Sequence, residues 1–212
     1  MATVIADISI SLDGYVTGPE PDAEPDAGQG AGQGLGRDAD VLHAWAFSDD
    51  PVDRAELDRA AAAGAVVMGR TLFDVVDGPD GWSGGLGYGA SRDARPPFLV
   101  VTSTRPASVR LAGSHDFTFV LDGPAAAVER ARAVAADGPV VVMGGAAVIR
   151  GCLDAGVVDR LRLHLAPVVL GGGTPLFGAG RVRLARAEVR VSSTATHLTY
   201  DVARRDVPTM RR

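Results

Sequence analysis

The sequence contains no lysine: all 21 basic side chains in its 212 residues are arginine. Schiff-base enzymes and Walker-type phosphate loops need a lysine amine, so pyridoxal-phosphate enzymes, class I aldolases and P-loop nucleotide hydrolases are excluded. Codon usage is an alternative explanation for the absence and carries no functional meaning. Cys152 is the only cysteine, which excludes intrachain disulfides and cysteine-cluster metal sites and favours a cytoplasmic location.

Long apolar runs and a basic surface are also missing. No run approaches the roughly 20 residues of a membrane span, and the first ten residues lack the basic start of a signal peptide. A net charge of −5 offers no basic face to nucleic acid or to an anionic membrane. We therefore expect a small-molecule substrate and neither nucleic acid nor membrane as a partner. One domain over residues 1–212 is expected from the length.

Short apolar segments alternate with helical segments through the middle of the chain. Strands are predicted at Val4–Ser11, Ala65–Met68, Pro97–Thr102, Phe117–Leu121, Val140–Met143, Leu161–Leu170, about 182–192 and about 196–204. Helices are predicted at Asp40–Phe47, from after the cap-like sequence Asp49–Pro51 to about Ala63, from Gly69 onwards, at Ala125–Ala136 and at Ala146–Leu153. This pattern indicates an α/β fold whose mainly parallel sheet is covered on both faces, with an antiparallel C-terminal edge.

Three strand ends carry residues suited to a nucleotide. Ligands of open α/β sheets bind beyond the carboxyl ends of the strands, where helix N-termini offer N–H donors. Gly69–Arg70 opens a helix, and the arginine could bind a phosphate, although this pair is also common without a function. Thr102–Arg105 could bind a ribose or a 2′-phosphate through its hydroxyls and Arg105, or simply form a capped turn. Gly144–Gly145 lets the backbone approach a pyrophosphate, with a tight turn without ligand as the alternative.

Taken in order, these segments resemble the dihydrofolate-reductase-like superfamily. The most similar branch is the C-terminal reductase domain of the bifunctional riboflavin biosynthesis protein RibD, with its stand-alone relatives. The resemblance rests on Ser11–Gly14, Val67–Arg70, Gly144–Gly145, Leu163–Gly173, Pro175–Phe177 and Thr196–Leu198. It covers nearly the whole chain apart from residues 19–40, and it implies a three-layer αβα fold and a homodimer.

The resemblance implies an NADPH-dependent reductase that transfers hydride directly from nicotinamide to a small polar substrate. The candidate substrate is 5-amino-6-(5-phosphoribosylamino)uracil of riboflavin biosynthesis. The alternatives are a stand-alone reductase of another pterin-like, carbonyl or imine substrate, and a non-catalytic nucleotide-binding module of the same fold. Reduction of dihydrofolate is not expected, because the segment Val41–Trp45 has no acid where pterin-binding members carry one.

By motif position, the resemblance places the cofactor along four segments. The implied contacts are Gly69, Arg70, Thr71 and Leu72 along the adenosine diphosphate, Thr102 and Ser103 beside the adenosine, Gly144, Gly145, Ala146, Ala147 and Val148 at the pyrophosphate and nicotinamide ribose, and the backbone groups of Ala6 and Asp7 at the carboxamide. Arg70 is implied at the 2′-phosphate. Thr71 stands one place earlier than the threonine of the family pattern Gly-Arg-x-Thr, which leaves backbone donors for the pyrophosphate.

His164 and Asp7 are the predicted catalytic residues. His164 falls where the resemblance implies a polar residue facing the substrate, and an imidazole can donate a proton near neutral pH. A hydrogen-bonded interior histidine is the alternative. Asp7 shares the polar face of the first strand with Ser9 and could orient an imine nitrogen or a sugar hydroxyl, or be held by backbone donors. No metal is expected, since the other histidines (His43, His115 and His197) lack ligand spacing.

Two further expectations concern loops and aromatic residues. Residues 19–40, rich in proline, glycine and acid, predict a flexible insertion at the place of the lid that closes over nicotinamide in the superfamily. Asp13–Gly18 is the part better placed to act as a lid, and a solvated insertion is the alternative for the rest. Trp45 and Phe47 are expected to pack on the sheet rather than stack on a substrate.

Overall fold

Eight strands join in one sheet in the computed structural model, which describes residues 1–20, 35–79, 81–83, 87–88 and 95–203. The strands are β1 Val4–Ile10, β2 Ala65–Gly69, β3 Phe98–Val101, β4 Phe117–Val120, β5 Val140–Gly144, β6 Arg160–Leu165, β7 Leu184–Val191 and β8 Thr196–Val202. Their order is β4-β3-β2-β5-β1-β6-β8-β7. Neighbours from β4 to β6 run parallel, and β8 and β7 are antiparallel, as the sequence predicts.

Helices cover both faces of this sheet and complete the predicted three-layer αβα arrangement. One face packs against α3 (Gly123–Val134) and α4 (Ala146–Asp154) in an apolar core. The other is covered by the 3₁₀ helix Asp40–Phe47, α1 (Pro51–Ala61) and α2 (Arg70–Asp77). The strands β2 and β5 are apolar along their length and almost wholly buried, which is typical of parallel strands covered on both faces.

The second face becomes polar where β1, β6 and β8 meet. Side chains alternate along a strand, so Asp7 and Ser9 share one face of β1 while Ala6 points into the apolar core on the other. The register sets Asp7 beside Arg162 and Ser9 beside His164. The result is a buried polar layer beneath α1 and the 3₁₀ helix.

The strand β6 is shorter than predicted, because it ends at Leu165 rather than Leu170. Pro167 has no backbone N–H to donate to a ladder. Beyond β6 the chain continues along the end of β1: Ala166 N donates to Ile10 O at 2.9 Å, and Leu12 N donates to Val168 O at 2.8 Å. The apolar run after Leu165 is therefore a loop at the carboxyl edge of the sheet.

The described ends of the predicted insertion are packed against the body of the protein. Gly18 N donates to Leu35 O at 2.7 Å, and Arg37 N donates to Pro19 O at 3.0 Å. Ala39 is buried beside Leu42, with Leu35 packed against them. Residues 35–40 are thus part of the packed structure, contrary to the composition-based prediction, whereas the prediction for 21–34 lies outside the described residues.

Asp13 ties the proposed lid segment to the loop after β6. Its carboxylate accepts from Leu170 N at 3.1 Å, from Gly171 N at 2.8 Å and from the Ser11 hydroxyl at 2.6 Å. These bonds lower the pKa of Asp13, with the Ser11 contact as the largest cause. The segment is anchored in this structure, and its role as a lid stays a prediction.

Candidate active site

The strands β1 and β5 stop pairing before either strand ends, and the region between them at the carboxyl edge of the sheet is called the cleft below. The ladder between these strands ends at the pair Ala6–Val142, whereas the ladder between β1 and β6 continues to Ile10–Leu165. After β1 the chain leads to β2, which lies on the β5 side of β1. After β5 it leads to β6, which lies on the other side of β1. This is a topological switch point, where open α/β sheets bind ligands. Asp7 stands at the start of the cleft, one residue beyond the end of the shared ladder.

Two helix N-termini converge on this cleft. Gly69 precedes α2 and Gly145 precedes α4, and neither N-terminus has a side-chain cap. A Cβ built on Gly69 would lie 3.0 Å from Val148 Cγ2 and 3.6 Å from Gly145 N, so the two junctions are in close contact. Their first N–H groups and partial positive charges therefore act on one small region, an arrangement suited to an anion.

The glycine pair itself has two different environments. Gly144 adopts φ 126°, which favours glycine, and the Gly144–Gly145 peptide is cis. A Cβ on Gly144 would contact Leu72 at 3.5 Å. A Cβ on Gly145 would point into open space, with nothing within 4 Å. A side chain at position 145 would therefore point into this open space, which glycine leaves empty.

Arg70 connects the first and second predicted junctions. Its Nε donates to both Asp74 oxygens at 2.7 and 2.9 Å, and its Nη1 donates to Thr104 O at 3.0 Å. The Thr102 hydroxyl also donates to Thr104 O, at 2.7 Å, and shapes the turn after β3. The other predicted cofactor residues divide by exposure: Thr71, Ser103, Arg105 and Ala147 are exposed, and Ala146 and Val148 are buried. The latter two can reach a ligand only through backbone groups.

Asp7 is 3% exposed and carries two charge-assisted bonds. Oδ1 accepts from His164 Nε2 at 2.7 Å, and Oδ2 accepts from Arg162 Nη1 at 2.9 Å. Burial by itself raises the pKa of this carboxyl, but the attraction of His164 and Arg162 outweighs burial and lowers the pKa below its usual value. Asp7 is therefore an ionised carboxylate at neutral pH, held by side chains and not by the backbone donors considered as the alternative.

His164 has both ring nitrogens engaged. Nε2 contacts Asp7, and Nδ1 lies 2.7 Å from His197 Nδ1. Trp45 stacks on the ring at a centroid distance of 3.9 Å and donates from Nε1 to Ser9 Oγ at 2.9 Å. The geometry is that of a hydrogen-bonded interior histidine, which can act on a substrate only through Asp7. Its catalytic role stays a prediction. Trp45 packs on the sheet as expected, but Phe47 is 81% exposed, so that part of the expectation is wrong.

Sequence reasoning missed several members of this polar layer. His197 Nε2 lies 2.8 Å from Asp53 Oδ1, and Glu56 is 1% exposed beside Arg190 at 2.8 Å. The spacing of Asp53 and Glu56 on one turn of α1 and the period-two pattern Arg160, Arg162, His164 were the available signals. Both are equally typical of exposed polar faces, so neither identified a buried layer.

Tyr88 is partly buried on the second face of the sheet, and the charge of Asp7 acts on its hydroxyl. Burial is the main cause that raises the pKa of Tyr88 well above its ordinary value, and the negative charge of Asp7 raises it further. The phenol therefore keeps its proton across the physiological range and can donate a hydrogen bond.

The described structure also contains a cavity away from the predicted site residues. A cavity of about 820 Å³ lies at the opposite edge of the sheet, lined among others by Thr3, Asp159 and Arg160, and none of the predicted site residues borders it. Within the described ranges, no group of three or more histidine, cysteine, aspartate or glutamate side chains is arranged to hold a metal ion. Among those same residues, no helix is both long and apolar enough to cross a membrane.

The strand order, the mainly parallel sheet and the glycine-lined cleft together define a dihydrofolate-reductase-like fold. The model of the RibD C-terminal domain family matches residues 2–199. The chain therefore belongs to the RibD C-terminal domain family. No curated protein matches it.

Solved structures share this fold at low sequence identity. A Shewanella sp. PV-4 protein, provisionally described as a riboflavin biosynthesis protein, is 21% identical with a TM-score of 0.65, covering 96% of this chain and 100% of that one. A pyrimidine reductase-like protein from Corynebacterium diphtheriae is 19% identical with a TM-score of 0.58, covering 96% and 92%. The riboflavin biosynthesis reductase Rib7 of Saccharomyces cerevisiae is 12% identical with a TM-score of 0.56, covering 95% and 90%.

Proposed function

We propose that the protein is an NADPH-dependent reductase that transfers hydride to a C=N or C=O carbon of a small polar substrate. The observation that carries this proposal is the meeting of two uncapped helix N-termini at Gly69 and Gly145, with open space beside Gly145. Family membership and the reductase descriptions of the Corynebacterium and yeast relatives support it. The candidate substrate is 5-amino-6-(5-phosphoribosylamino)uracil.

The residues of the cleft fit a dinucleotide. The N–H groups that begin α2 and α4 would hold the pyrophosphate, and Ala6, the last residue of the β1–β5 ladder, borders the place proposed for the carboxamide. Arg70 and the Thr102–Arg105 turn would take the adenosine end. NADPH, when bound, supplies the hydride, while Asp7 provides a polar group at the start of the cleft.

Gly145→Ala tests the proposed cofactor position. The new Cβ meets no atom of the protein, and φ −72° suits alanine, so the free energy of unfolding should change by at most about 1 kcal/mol. If the pyrophosphate lies there, the Kd for NADPH in a fluorescence titration should rise at least about tenfold, equivalent to about 1.4 kcal/mol. Gly113→Ala is the matched control, because its Cβ also meets nothing and it lies outside the cleft. Unchanged NADPH affinity in Gly145→Ala would argue against this placement.

Arg70 and Asp74 test the choice between NADPH and NADH. Arg70→Ala should weaken NADPH binding much more than NADH binding, because only NADPH carries the 2′-phosphate. Asp74 already pairs with Arg70 and would repel that phosphate, so Asp74→Asn should strengthen NADPH relative to NADH. Equal effects on both cofactors would contradict the assignment of the 2′-phosphate to Arg70.

A substrate panel separates the alternatives for the reaction. NADPH oxidation would be followed with the ribosylaminouracil, with pterins and with simple carbonyl and imine compounds. Turnover of a substrate other than the uracil would identify a stand-alone reductase of different specificity. Binding of NADPH without turnover of any of them would favour the non-catalytic nucleotide-binding module.

We also propose that the protein forms a homodimer through the C-terminal strands. The edge strand β7 carries Val189 and Val191, which are 45% and 66% exposed, beside the half-buried Leu198 of β8. Exposed apolar residues grouped on a sheet face favour association. Sedimentation should show a dimer for the unaltered protein and a monomer for the double variant Val189→Lys, Val191→Lys. A double variant that remains a dimer would place the interface elsewhere.

A further inference from the structure

Four side chains form one hydrogen-bonded chain through the buried polar layer. Asp7 Oδ1 lies 2.7 Å from His164 Nε2, His164 Nδ1 lies 2.7 Å from His197 Nδ1, and His197 Nε2 lies 2.8 Å from Asp53 Oδ1. None of the four is more than 3% exposed. Solvent therefore cannot satisfy these atoms, and each contact needs a proton of its own.

The three contacts together require one proton more than two neutral imidazoles carry. The pKa of Asp53 is lowered by hydrogen bonds from Ser192, Thr194 and His197, which outweigh its burial, and the pKa of Asp7 is lowered as described above. With both carboxylates ionised, each Nε2 must carry a proton. The contact between the two Nδ1 atoms needs a third, because two bare lone pairs at 2.7 Å would repel. If a proton moves from a ring nitrogen to Asp7 or Asp53, the proton has a new position, but the chain still holds three protons in its three contacts.

The charges around the chain match this count. Three buried carboxylates (Asp7, Asp53 and Glu56) and the half-exposed Glu188 face three arginines, Arg162, Arg190 and Arg59, so one more positive charge balances the layer. Buried His43, whose pKa is lowered by burial and then by the charge of His164, and neutral Tyr88 add none. Trp45 stacks on His164, a contact that favours a cation.

We propose that the Asp7–His164–His197–Asp53 chain stores one proton on its imidazoles and delivers it at Asp7 during reduction. His197 and Asp53 are then positioning residues that complete the hydrogen-bonded chain in which the proton is held. This proposal rests on the proposed reductase function. Hydride addition to a C=N or C=O carbon leaves the electron pair of the double bond on nitrogen or oxygen, and that atom takes a proton.

The path of the proton follows the hydrogen bonds. The Nε2 proton of His164 passes through the Asp7 carboxylate to the substrate atom, and the chain falls from three protons to two. One proton taken up from bulk solvent restores the third at the other end, where Thr194 Oγ1 donates to Asp53 Oδ2 at 2.7 Å in the β7–β8 turn beside exposed Ser193. The stored proton is thus shielded from solvent at the Asp7 end of the chain and is replaced from the Asp53 end.

Nitrogen-15 NMR of histidine rings in the protein without cofactor tests the stored proton directly. A histidine with the ordinary pKa of about 6.5 is protonated to about 3% at pH 8. We expect the His164–His197 pair to show one full imidazolium at that pH, about sixteenfold more than two ordinary histidines together. His115, which has its pKa lowered mainly by burial, serves as the neutral reference. Two neutral rings at His164 and His197 would overturn the proposal without any variant.

Asp53→Asn should release the stored proton, because a neutral amide no longer holds the charged pair together. Glu188→Gln is the matched control: it removes a carboxylate that is 41% exposed and contacts the layer only through Arg59. We expect the imidazolium signal at pH 8 to disappear in the first variant and to remain in the second. Its persistence in folded Asp53→Asn would contradict the role given to Asp53.

The pH dependence of turnover tests delivery. In Asp53→Asn, kcat should fall at least about tenfold above pH 7 and recover toward lower pH, while the Kd for NADPH stays within about twofold of wild type. An equal loss of kcat at every pH would indicate that Asp53 has only a structural role, and it would overturn the proposed proton delivery. If wild-type protein turns over no substrate but NMR shows the imidazolium, the reductase function and delivery both fall and the stored proton stands.

Discussion

Glu56 holds the buried polar layer together from the side of α1, and replacing it with glutamine tests how strongly charge stabilises this layer. Its carboxylate is 1% exposed and lies 2.8 Å from Arg190, 3.3 Å from Arg59 and 3.9 Å from Arg162. Glutamine keeps the shape of the side chain and removes the charge. The arginines would then face one another without the carboxylate between them.

The expected loss can be estimated from the exposure of each arginine. Removing one partner of a buried ion pair costs about 3–5 kcal/mol, because the other charge is left uncompensated. Arg190 is 25% exposed and Arg59 is 37% exposed, so both can turn partly to solvent. Arg162 is 9% exposed but keeps Asp7. We therefore expect the lower end, about 3 kcal/mol, or about 6–12 °C in Tm for a chain of this size.

Urea unfolding of Glu56→Gln and of Asp201→Asn at low and high salt provides the measurement. Asp201 pairs with Arg160 at 3.0 Å, but both are more than half exposed, so its loss should cost below about 1 kcal/mol and vanish in high salt. The loss for Glu56 should be several times larger and largely independent of salt. Equal losses in the two variants would refute the view that the layer is a buried ionic network.

Three further results are expected. Asp13→Asn should speed hydrogen exchange at Leu170 and Gly171, because the amide is a weaker acceptor than the carboxylate; unchanged exchange would show that the anchor lies elsewhere. The free energy of unfolding should decrease as the pH falls below about 6.5, because burial lowers the pKa of His43 and His115 in the folded state and the unfolded chain takes up those protons first; a flat profile between pH 7.5 and 5 would contradict this. Burial raises the pKa of Cys152 to about 12, so a thiol reagent at pH 8 should modify it only after unfolding, and fast labelling of native protein would disprove its burial.

The predicted cofactor segments meet at one edge because each follows a parallel strand. Gly69, Thr102 and Gly144 were recognisable as strand ends from apolar runs followed by glycine or hydroxyl residues, and parallel strands bring their carboxyl ends together. The pairing of Arg70 with Asp74 was not predicted, although their spacing of four is the spacing of helical neighbours. Sequence alone does not tell whether such a pair is engaged with itself or with a ligand.

The sequence by itself determined the alternation of strands and helices, the sheet type and the family, because apolar periodicity and short motifs are local properties of the chain. Only the tertiary structure decided where the polar side chains of β1, β6 and β8 lie. The alternation around His164 is compatible with an exposed face, and Asp53 and His197 stand 144 residues apart. Their contact depends on the register of three strands and on the packing of α1. For that reason the buried proton chain became visible only in the fold.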